Sequence, residues 1–386
     1  MNLKNELTQH ILPFWIEKMQ DRENGGFYGR IDGCNQLHPQ ANKGAVLNCR
    51  ILWTFSAAYR VLKNPEYLQV AQRAYEYIER CFIDREWGGV YWEVDCFGNP
   101  VNTKKQSYAQ GFALYGFSEF YRATGDMRAL ERAKEFFRLI ENCRDQKLGG
   151  YFEAFTRDWQ PVDDVRLSDK DENEVKTMNT HLHILEPYTN LLRVWKDESL
   201  MTAQRKLIDI FTDKILDKTN FHLKLFFDEN WMLKSQGVSY GHDIEASWLL
   251  YEAAEVLDDS VLLKKIKTVS LNIADAAAEG LQADGSMIYE CRDNMHPLSA
   301  DFDRHWWVQA ETVVGMMYAY RNSGNEIYKL RAQNAWEYIQ NNLIDHENGE
   351  WHWSRRADGT INRMDDKAGF WKCPYHNGRM CLELEG

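Results

Sequence analysis

The sequence predicts an all-α fold, an (α/α)6 barrel of twelve helices with short β-hairpins in the outer-to-inner connections, and three observations carry that prediction. A doubled-glycine turn recurs as Gly25-Gly26-Phe27-Tyr28, Gly88-Gly89-Val90-Tyr91-Trp92 and Gly149-Gly150-Tyr151-Phe152, with a weaker echo at Asn348-Gly349-Glu350-Trp351. The first three copies lie about 62 residues apart, the length of two helices plus a hairpin, and the 386-residue chain holds roughly six such units. Between the turns, segments that are apolar almost all round alternate with segments that carry one polar face. Six helical hairpins that close on themselves put their functional groups at one mouth.

Apolar spacing predicts helices near 2–20, 44–62, 66–81, 106–125, 127–143, 176–196, 199–216, 240–257, 260–279, 304–323, 327–343 and 374–384. The even-numbered ones are the more apolar, as in Ala45-Val46-Leu47 running on to Trp53-Thr54-Phe55-Ser56-Ala57-Ala58, so they line the inside. The odd-numbered ones carry faces such as Arg73, Glu76, Glu79 and Arg80 and lie outside. Asn64-Pro65, Gly125-Asp126 and Gly324-Asn325 end inner helices and start outer ones through short turns. The longest connection, Asp145 to Lys176, contains the charged run Asp163 to Glu172 and reads either as a solvated loop or as a lid over the mouth.

No Pro-, Ser- or Gly-rich linker interrupts the repeat, so residues 1–386 are expected to form a single catalytic domain. Composition is that of an ordinary globular chain, 44% hydrophobic and 27% charged, and the formal charge of -12 argues against a nucleic-acid partner. The 14 Trp and 19 Tyr fill cores in most proteins, and they also offer flat faces for stacking on sugars. Eight cysteines without a Cys-x-x-Cys pair fit free thiols and a cytoplasmic location. The start, Met1-Asn2-Leu3-Lys4-Asn5-Glu6, lacks an apolar signal core, and no segment is long enough to span a membrane. Nothing in the chain sets the oligomeric state, and a monomer is compatible with it.

Unusual polar residues gather near the beginnings of the inner helices, which should share one rim. They are Arg50, Tyr108, Asn179 with His183, His242 with Glu245, Trp306 and Trp307 with Glu311, and His376. Convergence from six helices points to a site. His242 and Glu245 are three apart on one helix face, so Glu245 is expected to orient His242 and favour its protonated form. The positive helix N-terminus would oppose that, leaving the imidazole near neutrality as a general acid/base; the alternative is a capping cluster with surface carboxylates. Arg50 would bury a guanidinium toward the axis, either as an oxyanion stabiliser or in a structural ion pair. Two histidines with no nucleophile motif suit proton transfer better than covalent catalysis. His181 and His183, two apart on a helix containing Pro187, make a poor metal clamp, and no cluster has zinc-like spacing. No Gly-x-Gly-x-x-Gly follows a strand, so no nucleotide cofactor is indicated.

Tyr240-Gly241-His242-Asp243-Ile244-Glu245-Ala246-Ser247-Trp248, Trp306-Trp307-Val308-Gln309-Ala310-Glu311 and Trp371-Lys372-Cys373-Pro374-Tyr375-His376-Asn377-Gly378-Arg379 resemble the cellobiose 2-epimerases, within the N-acylglucosamine 2-epimerase superfamily. Matches at Asn24 to Gly29, Lys43-Gly44, Arg50 to Trp53, Gly88 to Trp92 and Thr177 to Asn179 extend the resemblance along almost the whole chain. It implies an (α/α)6 barrel that inverts C2 of the reducing-end sugar of β-linked disaccharides such as cellobiose, lactose or mannobiose, without metal or nucleotide. His242 and His376 would be the acid/base pair, Arg50 would hold the enediolate, and Glu245 would set the state of His242. Tyr108, Asn179, His183, Glu311, Trp306, Trp307 and Trp371 would bind the sugar. The resemblance is weakest over the loop from Asp145 to Lys176 and the hairpin around Asn294 to Asp303. Competing readings are an aldose–ketose isomerase of the same superfamily, an inverting glycoside hydrolase drafting Asp243, Glu245 and Glu311, and a non-catalytic sugar-binding protein.

Overall fold

A computed structural model describes residues 1–169, 171–291 and 300–385. Lys170 and the Asn294–Ser299 part of the expected hairpin lie outside the described residues. Twelve helices follow one another along the described chain. Helix α1 comprises Leu3–Glu6 and Leu12–Glu17 joined by the π-helical turn Leu7–Ile11, and α2 is Ala45–Leu62. Then come α3 (Pro65–Tyr77, continued by a π turn Ile78–Phe82), α4 (Ser107–Thr124), α5 (Met127–Asn142) and α6 (Met178–Leu192). The second half has α7 (Glu198–Ile210, with a π turn Phe211–Ile215), α8 (Tyr240–Glu255), α9 (Ser260–Ala277), α10 (Trp306–Ser323), α11 (Glu326–Asn342) and α12 (Tyr375–Glu385).

The even-numbered helices form the inner ring. Each packs on the next, α2 on α4, α4 on α6, and so on to α12, which returns to α2, while every outer helix backs an inner one and α1 backs α12. Burial follows the sequence pattern: the first fourteen residues of α2 and of α4 are all buried, whereas α5 buries only its Ala129, Leu130, Ala133, Phe136, Phe137 and Ile140 stripe. The inner-to-outer turns are short because their residues stop one helix and start another. Gly125 and Gly324 end helices in the left-handed conformation at φ 74° and 71°, and Asn64, Asp126 and Asn325 cap the next helix with their side chains.

The outer-to-inner connections carry the repeated turn and staple the ring. Before α2, α4, α6, α8 and α10 the chain makes a two-residue strand that pairs with the following unit's hairpin: Lys43–Gly44 with Glu93–Val94, Lys105–Gln106 with Ala154–Phe155, Lys176–Thr177 with Phe226–Phe227, Val238–Ser239 with Glu290–Cys291, and Arg304–His305 with Ser354–Arg355. A bridge from Ala368 back to Ile31 closes the circle. Four connections are locked by a buried ion pair: Lys43–Asp21 at 2.7 Å, Lys105–Asp84 at 3.0 Å, Lys176–Asp145 at 2.7 Å and Lys367–Asp345 at 2.6 Å. In the weak echo, Glu350 takes the place of a second glycine at φ 58°, and its carboxylate accepts from Trp15, Asn377 and Lys372. Those three bonds hold a backbone conformation that an ordinary side chain avoids.

Candidate active site

All six inner helices begin at the same mouth, so their first turns, and the positive ends of their dipoles, converge on one cavity. That cavity measures about 380 Å³ and is lined by Arg50 of α2, Tyr108 of α4, Asn179 and His183 of α6, His242 and Glu245 of α8, Trp306 and Trp307 of α10, Trp371 and His376. Leu167, Ser168, Asp169 and Asp171 cover part of it, as do Tyr289, His305, Trp353 and Asp365. Trp307 stands between the two candidate acid/base rings, with its ring centroid 4.9 Å from that of His242 and 5.5 Å from that of His376.

His376 rests on charges. Its Nδ1 donates to Glu311 Oε1 at 2.7 Å and lies 3.8 Å from Glu245 Oε1. Behind them Arg379 sends Nη2 to Glu245 and to Glu311, each at 2.7 Å, and Nη1 to Glu186 and the Tyr375 hydroxyl. Glu186 in turn accepts from His183 Nδ1 at 3.1 Å. Burial, reinforced by Arg50 and Arg379, holds His376 well below the usual imidazole range. Burial and then the neighbouring Glu311 push Glu245 up to about 8, whereas at Glu186 burial is outweighed by Arg379, His183 and Tyr375 together, which draw it down to about 2.

His242 rests on a hydroxyl. Ser239 caps α8 and its Oγ shares a 2.7 Å hydrogen bond with His242 Nδ1, which leaves Nε2 as the other ring nitrogen. Burial takes this imidazole down to about 3. Arg50, 3% exposed, donates Nη2 to the Tyr108 hydroxyl at 2.8 Å and is sandwiched by Phe112 and Tyr375, with its guanidinium carbon 4.2 and 4.6 Å from their ring centroids. Among the described residues no carboxylate stands within ion-pair distance of it. Of Arg50's two sequence readings, the structural ion pair is therefore absent there.

The family model for N-acylglucosamine 2-epimerase matches residues 26–378. The chain belongs to the N-acylglucosamine 2-epimerase family. The epimerase is 58% identical over 385 residues to the cellobiose 2-epimerase of Bacteroides fragilis, covering 100% of this chain and 98% of that protein. It is 42% identical to that of Ruminococcus albus, covering 99% and 97%. Among solved structures, the cellobiose 2-epimerase from Bacillus thermoamylovorans B4167 superposes with a TM-score of 0.94 at 43% identity, covering 99% of this chain and 97% of that one. These likenesses make the protein a carbohydrate epimerase.

Ten of the eleven site residues expected from sequence line the epimerase's cavity. Glu311, expected to touch sugar, is fully buried behind His376, with Oε1 engaged by His376 and Arg379 and Oε2 by Trp248 Nε1. The expected pairing of Glu245 with His242 is also corrected. Helical spacing puts the two on one face, but Glu245 reaches inward to Arg379, and the nearer His242 partner is Ser239. His242 is accordingly held neutral by burial, which outweighs the opposing pull of the Glu311 carboxylate.

Sequence reading missed Ser239, Glu186, Tyr375 and Arg379. Ser239 carries a signal, a serine three residues before a histidine at a helix start. Arg379 carries the one that exposed Arg50, a charge in the first turns of an apolar helix. Pro187 does not end α6; it frees the His183 carbonyl, against which Gly111 packs so closely that a Cβ there would stand 2.4 Å from the oxygen. Glu245, Glu311 and His376 offer a metal-like trio of atoms within 4.8 Å of one another, yet Arg379 Nη2 already bonds both carboxylates at 2.7 Å. A cation placed there would face a buried guanidinium.

Proposed function

We propose that the protein inverts C2 of the reducing-end sugar of β-1,4-linked disaccharides of the cellobiose, lactose and mannobiose type. The observation that carries this reading is the pair of neutral imidazoles, His242 and His376, on one cavity with an aromatic-framed Arg50. After ring opening, an imidazole takes the proton from C2, an enediolate forms, and a proton returns to the opposite face, either after bond rotation or from the second ring. Arg50, with the six helix N-termini, stabilises the enediolate oxygens. Its Nε is buried and has no hydrogen-bond partner among the described residues.

Glu311 fixes the His376 tautomer that leaves Nε2 as the base. Glu245 keeps its proton near neutral pH, and its Oε2 has no hydrogen-bond partner among the described residues, so it is assigned to a substrate hydroxyl rather than to His242. Tyr108, Asn179 and His183 bond further hydroxyls, and Trp306, Trp307 and Trp371 supply flat walls. Inverting hydrolysis is disfavoured, because it needs carboxyls about 6.5–9.5 Å apart. Here Glu245 and Glu311 share one guanidinium nitrogen, and Asp243 is committed to His222 and Leu223. We place this activity in the cytoplasm, in keeping with eight free cysteines, and without a metal, in keeping with Arg379 on the candidate carboxylates.

The test is incubation with cellobiose, mannobiose and free mannose in deuterated water with chelator, followed by proton NMR. The C2-epimeric disaccharide carrying deuterium at C2 is the expected product. Ketose from mannose alone would move the protein to the isomerase reading, and free glucose from cellobiose to hydrolysis.

A further inference from the structure

In the three connections before α2, α4 and α6, the turn's first residue is an aspartate and the strand before the inner helix begins with its lysine: Asp21 with Lys43, Asp84 with Lys105, Asp145 with Lys176. The connection before α8 keeps the turn but not the pair. Asp217 bonds back to His222 and Phe221 as Asp21 does to Gly26 and Gly25. Val238, however, occupies the lysine's place in the strand pairing, opposite Cys291. The lock has moved. His222, where the other turns have their second glycine, sends Nδ1 to Asp243 Oδ2 at 2.7 Å, while Leu223 N–H donates to Asp243 Oδ1 at 2.9 Å. Asp243 is fully buried in the first turn of α8, next in sequence to His242.

We propose that the His222–Asp243 pair is a pH-sensitive tether that positions the first turn of α8, and with it His242, at the cavity. Elsewhere the lock anchors the strand before the helix; here it grips the helix turn that bears the candidate acid/base residue, and the cation is an imidazole. The charged and titratable groups facing His222 are Asp243 and Tyr240 of α8, Glu279 beyond α9 at 3.3 Å from Nε2, and Asp217 and Lys224 of its own turn. Burial opposes the imidazolium, but Asp243 and Glu279 outweigh it and raise the group above its ordinary 6.5. A raised histidine stabilises the fold fully below that ordinary value, and the contribution is lost as pH climbs through the folded value. Above it, Asp243 keeps only neutral donors, and charge-assisted hydrogen bonds are roughly twice as strong as neutral ones. His222 is thus a positioning residue, acting through Asp243 on His242, and the inference rests on the acid/base reading of His242.

The experiment is a kcat–pH profile from about pH 6 to 9 for the wild type, His222→Gln and His222→Lys, beside an NMR titration of the wild-type His222 ring. The wild type is expected to lose kcat with the midpoint at which His222 titrates, with KM little changed. Glutamine, which donates without titrating, should run several-fold below wild type at pH 6 and lack that component; lysine, the cation of the other connections, should carry it to higher pH. Lys367, drawn down to about 8 by burial, and Glu245, pushed up to about 8 in the cavity itself, titrate in all three proteins, so the difference between profiles is what reports on His222. Superimposed profiles, or a difference between them that does not follow the His222 titration, would overturn the inference while leaving an inactive His242→Ala, and the acid/base reading, intact. Turnover retained in His242→Ala would overturn both.

Discussion

The α12 wall and the α8 wall of the cavity present the same side chain on different supports. His376 stands on a buried layer in which the Arg379 guanidinium bonds three carboxyl groups, those of Glu186, Glu245 and Glu311. His242 stands on a single hydroxyl, and the next residue along the helix, Asp243, is paired with His222. A carboxylate beside Nδ1 only accepts, so His376 keeps one tautomer. A hydroxyl donates or accepts, so His242 can exchange which nitrogen carries the proton while Ser239 simply rotates. The difference teaches that equal residue type on one cavity need not mean equal role: in the proposed reaction the α12 ring would serve as a base of fixed tautomer, and the α8 ring as the one that takes and returns a proton.

The largest effect comes from removing either ring. His242→Ala and His376→Ala are each expected to lower kcat by about 10²–10⁴-fold, the usual share of general acid/base catalysis. Melting temperature, read in parallel, should hold for His242→Ala and move for His376→Ala, because only the second leaves buried carboxylates short of a donor. Equal melting behaviour of the two variants would erase the contrast between the walls.

Arg379→Met attacks the α12 layer directly. It strips Glu186 and Glu311 of their countercharge and Glu245 of a hydrogen-bond donor, and breaking a buried ion pair costs roughly 3–5 kcal/mol. A chemical-denaturation midpoint should register the loss; a midpoint at the wild-type value would mean that the carboxylates answer one another through shared protons, without the guanidinium.

These two walls were unequally legible in the sequence. Ring order and twelve helices could be read because the glycine turns and apolar spacing are local signals, each repeated along the chain. Arg50, His242 and His376 could be read because a polar residue on an apolar inner helix is conspicuous. What escaped is the pairing between helices. Glu311 and Arg379 lie 68 residues apart and on different elements, so spacing cannot show that they meet. His242 and Glu245 lie close together, and spacing there suggested a contact that the inward reach of Glu245 to Arg379 replaces. Helical periodicity tells which face a side chain leaves from, and the packed neighbours decide where it ends.

Glu245→Gln gives a smaller and pH-dependent effect. Burial and Glu311 raise the folded Glu245 to about 8 against an ordinary 4.5, so the folded protein holds a proton there that the unfolded chain releases. Stability from this group therefore declines as pH rises between those values. Glu186 acts in the opposite sense: held at about 2, it adds stability above 4.5 that is lost as pH falls toward its folded value. The glutamine variant should flatten the wild-type fall in melting temperature between about pH 5 and 8 while leaving the acid limb set by Glu186 in place. A fall of undiminished slope would remove the raised Glu245 from the description of the α12 layer.

The smallest effect, and the one that most sharpens the contrast, is Ser239→Ala. The substitution removes both the α8 cap and the partner of His242 Nδ1, and a lost cap costs about 1 kcal/mol. If the hydroxyl only capped the helix, kcat would follow stability and stay near wild type at temperatures well below melting. If it exchanges tautomers with His242, alanine leaves Nδ1 without a partner that can both donate and accept, and kcat should fall about tenfold, the worth of one hydrogen bond of roughly 1–1.5 kcal/mol, with KM little changed. Ser239→Thr restores the hydroxyl and should restore most of the rate, which separates loss of the proton partner from loss of the cap. Full activity in the alanine variant would leave His242, like His376, a ring whose tautomer is set without its neighbour on α8.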